Sequence, residues 1–153
     1  MCNTPDDVEI VDDAEVLHRA ILYKKWLDAE GKPTYMAFRR RMRKDLSCEP
    51  YLSLDRANQR KVGDTVKSFK DCFAVSSLVA KDVRSISYED SNNLKINLDV
   101  RPFPLSTNQA HCGIENVPHP ELSTKESERI GRILARNSKK VWNLAEDGLA
   151  VLD

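Results

Sequence analysis

The sequence predicts a single α+β domain, a small and mainly antiparallel sheet with a C-terminal amphipathic helix packed on one face. Three observations carry this. The chain has 153 residues, enough for one core without covalent staples. Residues 94–100 alternate in period two, with Leu94, Ile96, Leu98 and Val100 on one side and Lys95, Asn97 and Asp99 on the other. Residues 123–148 instead carry Ile130, Ile133, Leu134, Val141 and Leu144 mostly on one helical face, behind a Ser123-x-x-Glu126 capping box and ahead of Gly148 as a stop.

The remaining elements follow in chain order. Residues 1–13 hold Asp6, Asp7, Glu9, Asp12 and Asp13 with little to bury, so they read as an acidic flexible arm ahead of a domain spanning 14–153. Val16, Leu17, Ala20, Ile21 and Leu22 fit either a strand or a helical turn. After the turn at Gly31 and Pro33, residues 34–38 have strand-like side chains. Residues 51–55 alternate as a strand, and Asp64 is placed to cap a short helix carrying Val66 and Phe69. Residues 73–79 read as a buried strand and 111–117 as another, closed by Pro118 and Pro120. Short strands mixed with helices, without a βαβ beat, favour α+β over α/β.

Composition excludes some functions and leaves others open. Hydrophobic residues make up 41% and charged residues 31%, which is a globular balance rather than a disordered one. Lys+Arg and Asp+Glu stand at 24 each, so no global field draws the chain to nucleic acid or anionic lipid. No apolar run approaches the roughly 18–20 residues that span a bilayer. The acidic start lacks the basic-then-apolar pattern of a secretory signal, and a cytoplasmic protein is the expectation. Cys2, Cys48, Cys72 and Cys112 form no Cys-x-x-Cys pair, so reduced thiols are expected there.

Leu17-His18-Arg19, Ala37-Phe38-Arg39, residues 52–57 as LSLDRA, Val83-Arg84-Ser85-Ile86, Leu98-Asp99-Val100 and residues 111–118 as HCGIENVP form a layout across most of the chain. That layout resembles small uncharacterised bacterial proteins. The resemblance implies a compact bacterial domain and transfers no site.

Three constellations carry chemistry. Arg39, Arg40, Arg41, Arg43 and Lys44 form a basic run beside Tyr23, Trp26, Tyr35 and Phe38, a pattern suited to single-stranded nucleic acid or to docking of the acidic arm. Arg19, Ser53 and Glu115, in that order, are similar to the Arg-Ser-Glu arrangement of some ADP-ribosyltransferases. In that family the Arg holds the dinucleotide phosphates of NAD, the Ser supports the nicotinamide pocket and the Glu stabilises the oxocarbenium-like state. Tyr51-Leu52-Ser53-Leu54 lacks the Thr or Ser companions usual in that motif. His111 and Cys112 with His119 supply metal-ligand types, but neighbours on a strand face opposite ways, so no metal is expected. Trp142 is placed either to cover the core edge or to anchor a partner.

With balanced charge and no Gly-rich phosphate loop, the leading expectation is a non-enzymatic accessory or regulatory protein acting by protein–protein binding, without a cofactor. An NAD-using ADP-ribosyltransferase-like enzyme and a single-strand binder through residues 39–44 are the alternatives.

Overall fold

The computed structural model describes residues 9–40, 45, 49–118 and 122–152. Among the described residues seven strands form one curled antiparallel sheet: β1 (Val16–Ile21), β2 (Leu52–Arg56), β3 (Ala74–Val79), β4 (Ser87–Glu89), β5 (Lys95–Pro102), β6 (His111–Val117) and β7 (Lys139–Asn143). Their order is β4-β5-β6-β2-β1-β3-β7. Four helices accompany them, α1 (Val62–Lys67), α2 (Ala80–Arg84), α3 (Thr124–Asn137) and α4 (Leu144–Asp147), so the expected mixed class is observed. No helix among the described residues is long and apolar enough to cross a membrane.

The alternation in β5 buries Ile96, Leu98 and Val100, together with Leu17, Ile21, Leu52, Leu54, Leu78 and Ile114, in the main core. Leu94 lies ahead of the strand and is exposed. A smaller cluster of Ala20, Val66, Cys72, Val75 and Trp142 uses the opposite parity of β1 and β3, so both faces of this half of the sheet are covered.

Several local expectations change. Residues 34–38 make a 3-10 turn at Tyr35–Ala37, not a strand, because Thr34 N–H and Oγ1 both bond Trp26 O and fold the segment back on itself. Helix α1 starts at Val62 with Lys61 at its N-cap, and Asp64 lies inside its first turn. Gly63 fits there because a Cβ would lie 2.4 Å from Leu152 O. Helix α3 begins as expected, with Ser123 Oγ accepting Glu126 N–H at 3.1 Å, but ends at Asn137. Beyond it, Lys139 and Lys140 pair with Ser77 and Ser76 of β3, so Val141 belongs to an edge strand and Leu144 to α4.

Helix α3 adds Ile130 and Leu134 to the main core and lies against residues 35–40. Gly131 permits that approach, since a Cβ would stand 2.7 Å from Tyr35 O. Ser127 Oγ accepts Arg40 N–H at 3.0 Å and donates to Arg40 O at 3.2 Å.

One irregularity positions everything below. Strand β1 pairs with β3 along all six of its residues, but with β2 only at Leu17↔Arg56 and His18↔Asp55. Strand β2 pairs with β6 from Leu52 to Asp55. Beyond His18 the two central strands therefore diverge, and the sheet divides into β4-β5-β6-β2 and β1-β3-β7.

Candidate functional site

The divergence opens a cavity of about 550 Å³ whose lining includes His18 and Arg19 from β1, Ser53 and Asp55 from β2, and His111 from β6. Residues of both parities reach it because the strands have separated there. The register places His18, Asp55 and His111 side by side on one face in neighbouring strands. Polar side chains at inward positions of otherwise apolar strands are the signal for this row, visible in VLHRAI and LSLDR.

Arg19 crosses the gap. Its Nε donates to Ala37 O at 2.8 Å and its Nη1 to Ser53 O at 2.9 Å, and its guanidinium carbon stands 5.9 Å from the Trp26 ring centroid. Asp55 is the buried hub of the row. Its Oδ1 accepts from Asn108 Nδ2 at 2.7 Å, while Oδ2 accepts from Thr65 Oγ1 at 2.7 Å and Arg60 Nη1 at 3.1 Å. His18 is 9% exposed, and its Nδ1 has no hydrogen-bond partner among the described residues. Burial holds its pKa below the ordinary imidazole value, against the opposing pull of Asp55.

His111 is fixed at both ring nitrogens. Nδ1 lies 2.9 Å from Phe103 O and Nε2 lies 3.2 Å from Ser53 Oγ. A carbonyl only accepts, so Nδ1 carries a proton, and in the neutral form of the ring Nε2 presents its lone pair to the Ser53 hydroxyl. The neighbouring Cys112 points into the core, where burial pushes its thiol up to about 12, so the two do not converge. Among the described residues no cluster of three or more His, Cys, Asp or Glu is placed to hold a metal. His119 lies outside the described residues.

Of the Arg-Ser-Glu trio, Arg19 and Ser53 share the cavity and Glu115 does not line it. Glu115 lies on the face of His111, two residues past Gly113, and accepts from Arg101 Nη1 at 3.1 Å. Between them, the rings of Tyr51 and Phe103 stack at 4.3 Å over Gly113, where a Cβ would meet Tyr51 Cδ2 at 2.5 Å.

A second cavity of about 470 Å³ adjoins the first, sharing Trp26 and Arg39, and is lined also by Tyr23, Lys25, Arg40, Thr124 and Ser127. Arg39 stands 5.7 Å from the Tyr35 ring and 3.8 Å from Glu128. Arg40 is buried, unlike the solvated cation the basic run suggests. Its guanidinium bonds Pro50 O, Ile114 O and Asn116 Oδ1, tying the turn after residue 37 to β6. Arg41, Arg43 and Lys44 lie outside the described residues. Trp142 is 2% exposed and donates Nε1–H to Gly148 O, so it covers the small core and offers no surface to a partner.

The acidic arm is docked over residues 9–13, where Val11 is fully buried. Arg56 donates to Glu9 O and Ile10 O, and Arg84 to Val11 O and the Asp13 carboxylate. Among the described residues, the arm is thus held by Arg56 and Arg84.

Comparison with protein-family models, with curated proteins and with solved structures gave no match.

Proposed function

We propose that the chain is an enzyme that binds NAD across the two adjoining cavities and cleaves its nicotinamide–ribose bond, in the manner of an ADP-ribosyltransferase. The observation that carries this is the junction at Trp26 and Arg39, with Arg19 over the same Trp26 ring. A dinucleotide has two ring-bearing ends and a central diphosphate, and this arrangement offers two chambers with guanidinium groups where they meet. Tyr23 and Trp26, with ring centroids 4.8 Å apart, give the second chamber an aromatic wall for a base. In the first chamber Arg19, Arg39 and Arg60 outnumber Glu49 and Asp55, which favours an anionic ligand.

The leading expectation of protein–protein binding drew on balanced charge with segregated patches, the acidic arm and the lack of a catalytic set, with the basic run and Trp142 as its candidate contact residues. Arg40, residues 9–13 and Trp142 are engaged within the domain, and that leaves the cavity pair as the stronger support.

Thermal melting with NAD and, separately, with ADP-ribose tests the reading. A ligand held at a hundredfold above its Kd stabilises by about 2.7 kcal/mol, a shift of a few degrees for a domain of this size. Wild type should show it and Arg19→Ala should not. An unmoved wild-type melting temperature with both ligands removes the reading.

A further inference from the structure

We propose that Ser53 and His111 form the proton-accepting pair of the first cavity, with His111 as base in place of Glu115, and that the acceptor is a hydroxyl of water or an alcohol. The inference rests on the NAD reading above and adds to it the base and the acceptor class.

The ring of His111 is oriented for this. Phe103 O accepts a hydrogen bond from Nδ1–H, and Phe103 is itself held by its N–H bond to His111 O at 3.0 Å and by the Tyr51 stack. Nε2 therefore faces Ser53 Oγ as an acceptor, within reach for proton transfer. Asp55, directly opposite His111 on β2, supplies a fixed carboxylate beside the imidazolium that would form. Among the described residues, the charged and titratable neighbours of that carboxylate include Arg60, bonded to it, His18 on β1 and the buried Cys112 thiol beside His111. Burial keeps His18 neutral near pH 7, so it does not add a second cation to the row. Glu115 has no comparable position, because the Tyr51–Phe103 stack over Gly113 occupies the face between it and the cavity.

The step balances without a further reactant. The bond between ribose C1′ and the pyridinium nitrogen breaks, and its electron pair stays on nitrogen, so neutral nicotinamide leaves without an acid. The acceptor oxygen bonds C1′. The acceptor's proton passes to Ser53 Oγ while the Ser53 proton passes to His111 Nε2. The imidazolium then releases that proton to solvent. The products are nicotinamide, the ADP-ribosylated acceptor (ADP-ribose when the acceptor is water) and one proton.

Four proteins test it, namely wild type, His111→Gln, Ser53→Ala and Glu115→Gln, with melting in the absence of NAD checking that each folds. All four should show the NAD-induced shift. Nicotinamide release should fall about 100-fold or more in His111→Gln and Ser53→Ala, the loss expected of a general base, and stay at the wild-type rate in Glu115→Gln. Added imidazole should restore part of the rate in His111→Gly. Wild-type release by His111→Gln, or loss confined to Glu115→Gln, overturns the assignment. A wild type that shifts with NAD but releases no nicotinamide in water or added alcohol also overturns it, while leaving dinucleotide binding standing. A wild type that does not shift removes the NAD reading and this one with it.

Discussion

Arg19 reaches from β1 to the Ser53 carbonyl of β2, at 2.9 Å, across a stretch where the backbones of the two strands no longer pair. A guanidinium can hold that carbonyl and Ala37 O together because its donors are rigidly forked. Arg19→Lys keeps the charge and loses the fork. Its stability should drop by about 1–3 kcal/mol in urea titration, since one buried carbonyl is left without its donor. The NAD-induced melting shift should shrink with it, and a variant matching wild type in both would show that the fork is idle.

Glu15, just ahead of β1, and Arg56, the last residue of β2, make a buried ion pair, with both guanidinium contacts at 2.8 Å and side chains 7% and 3% exposed. Removing one partner strands the other charge, and Glu15→Ala is expected to cost about 3–5 kcal/mol in denaturant titration. The loss should also free residues 9–10 from Arg56, read as new protease sensitivity there.

The same pair sets a pH dependence. Burial raises the Glu15 pKa, but bonds from Arg56 and from Asp12 N–H outweigh it and hold it below the ordinary carboxylate value. A depressed folded pKa means the unfolded chain binds the proton more readily, so this stabilisation is complete above the ordinary carboxylate range. It is lost as pH falls through the folded value. Wild type should lose stability on acidification through that window, and Glu15→Gln should lose less.

How much of this could be read beforehand depended on whether the cause was local. Strands β5 and β6 were legible from alternation and flanking prolines, and the start of α3 from Ser123, because these signals sit within a few residues. Strand β7 was not, since 139–143 take their conformation from the edge of β3, some sixty residues away in sequence. Arg19 and Ser53 were marked by the order of residue types. His111 was weighed only beside Cys112 and His119, because its orienting partner is a backbone carbonyl, which no side-chain pattern records. Arg40 was misjudged for a related reason, since the acceptors that draw it inward lie on β6 and beside Pro50.

Gly131→Ala tests the approach of α3 to residues 35–40. The added methyl meets backbone at Tyr35 O and Arg39 N, which cannot rotate away as a side chain tip can. Overpacking of this kind costs about 1–3 kcal/mol, so the melting temperature should fall by several degrees. An unchanged value would mean the helix can lift without penalty.

Cys72 and Cys112 are buried, and burial raises both thiols, Cys112 to about 12. At pH 8 neither presents thiolate in the native state, so iodoacetamide should modify them only on unfolding. Mass-spectrometric mapping of native labelling that finds either residue alkylated at the rate of a free peptide thiol would contradict their placement.

The two sub-sheets are joined along a short seam, two residue pairs long, clasped at one end by Arg56 on Glu15 and spanned at the other by Arg19 on Ser53. At such a seam two arginines supplement a ladder of amides that is only two residue pairs long. Relative motion of β4-β5-β6-β2 against β1-β3-β7 would change the width of the cavity, and the main core, which draws Leu17 and Leu78 from one side and Leu54 and Ile114 from the other, resists it. The mouth of the site and the shortest ladder of the sheet are thus one location, and a molecule bound there would act as a splint.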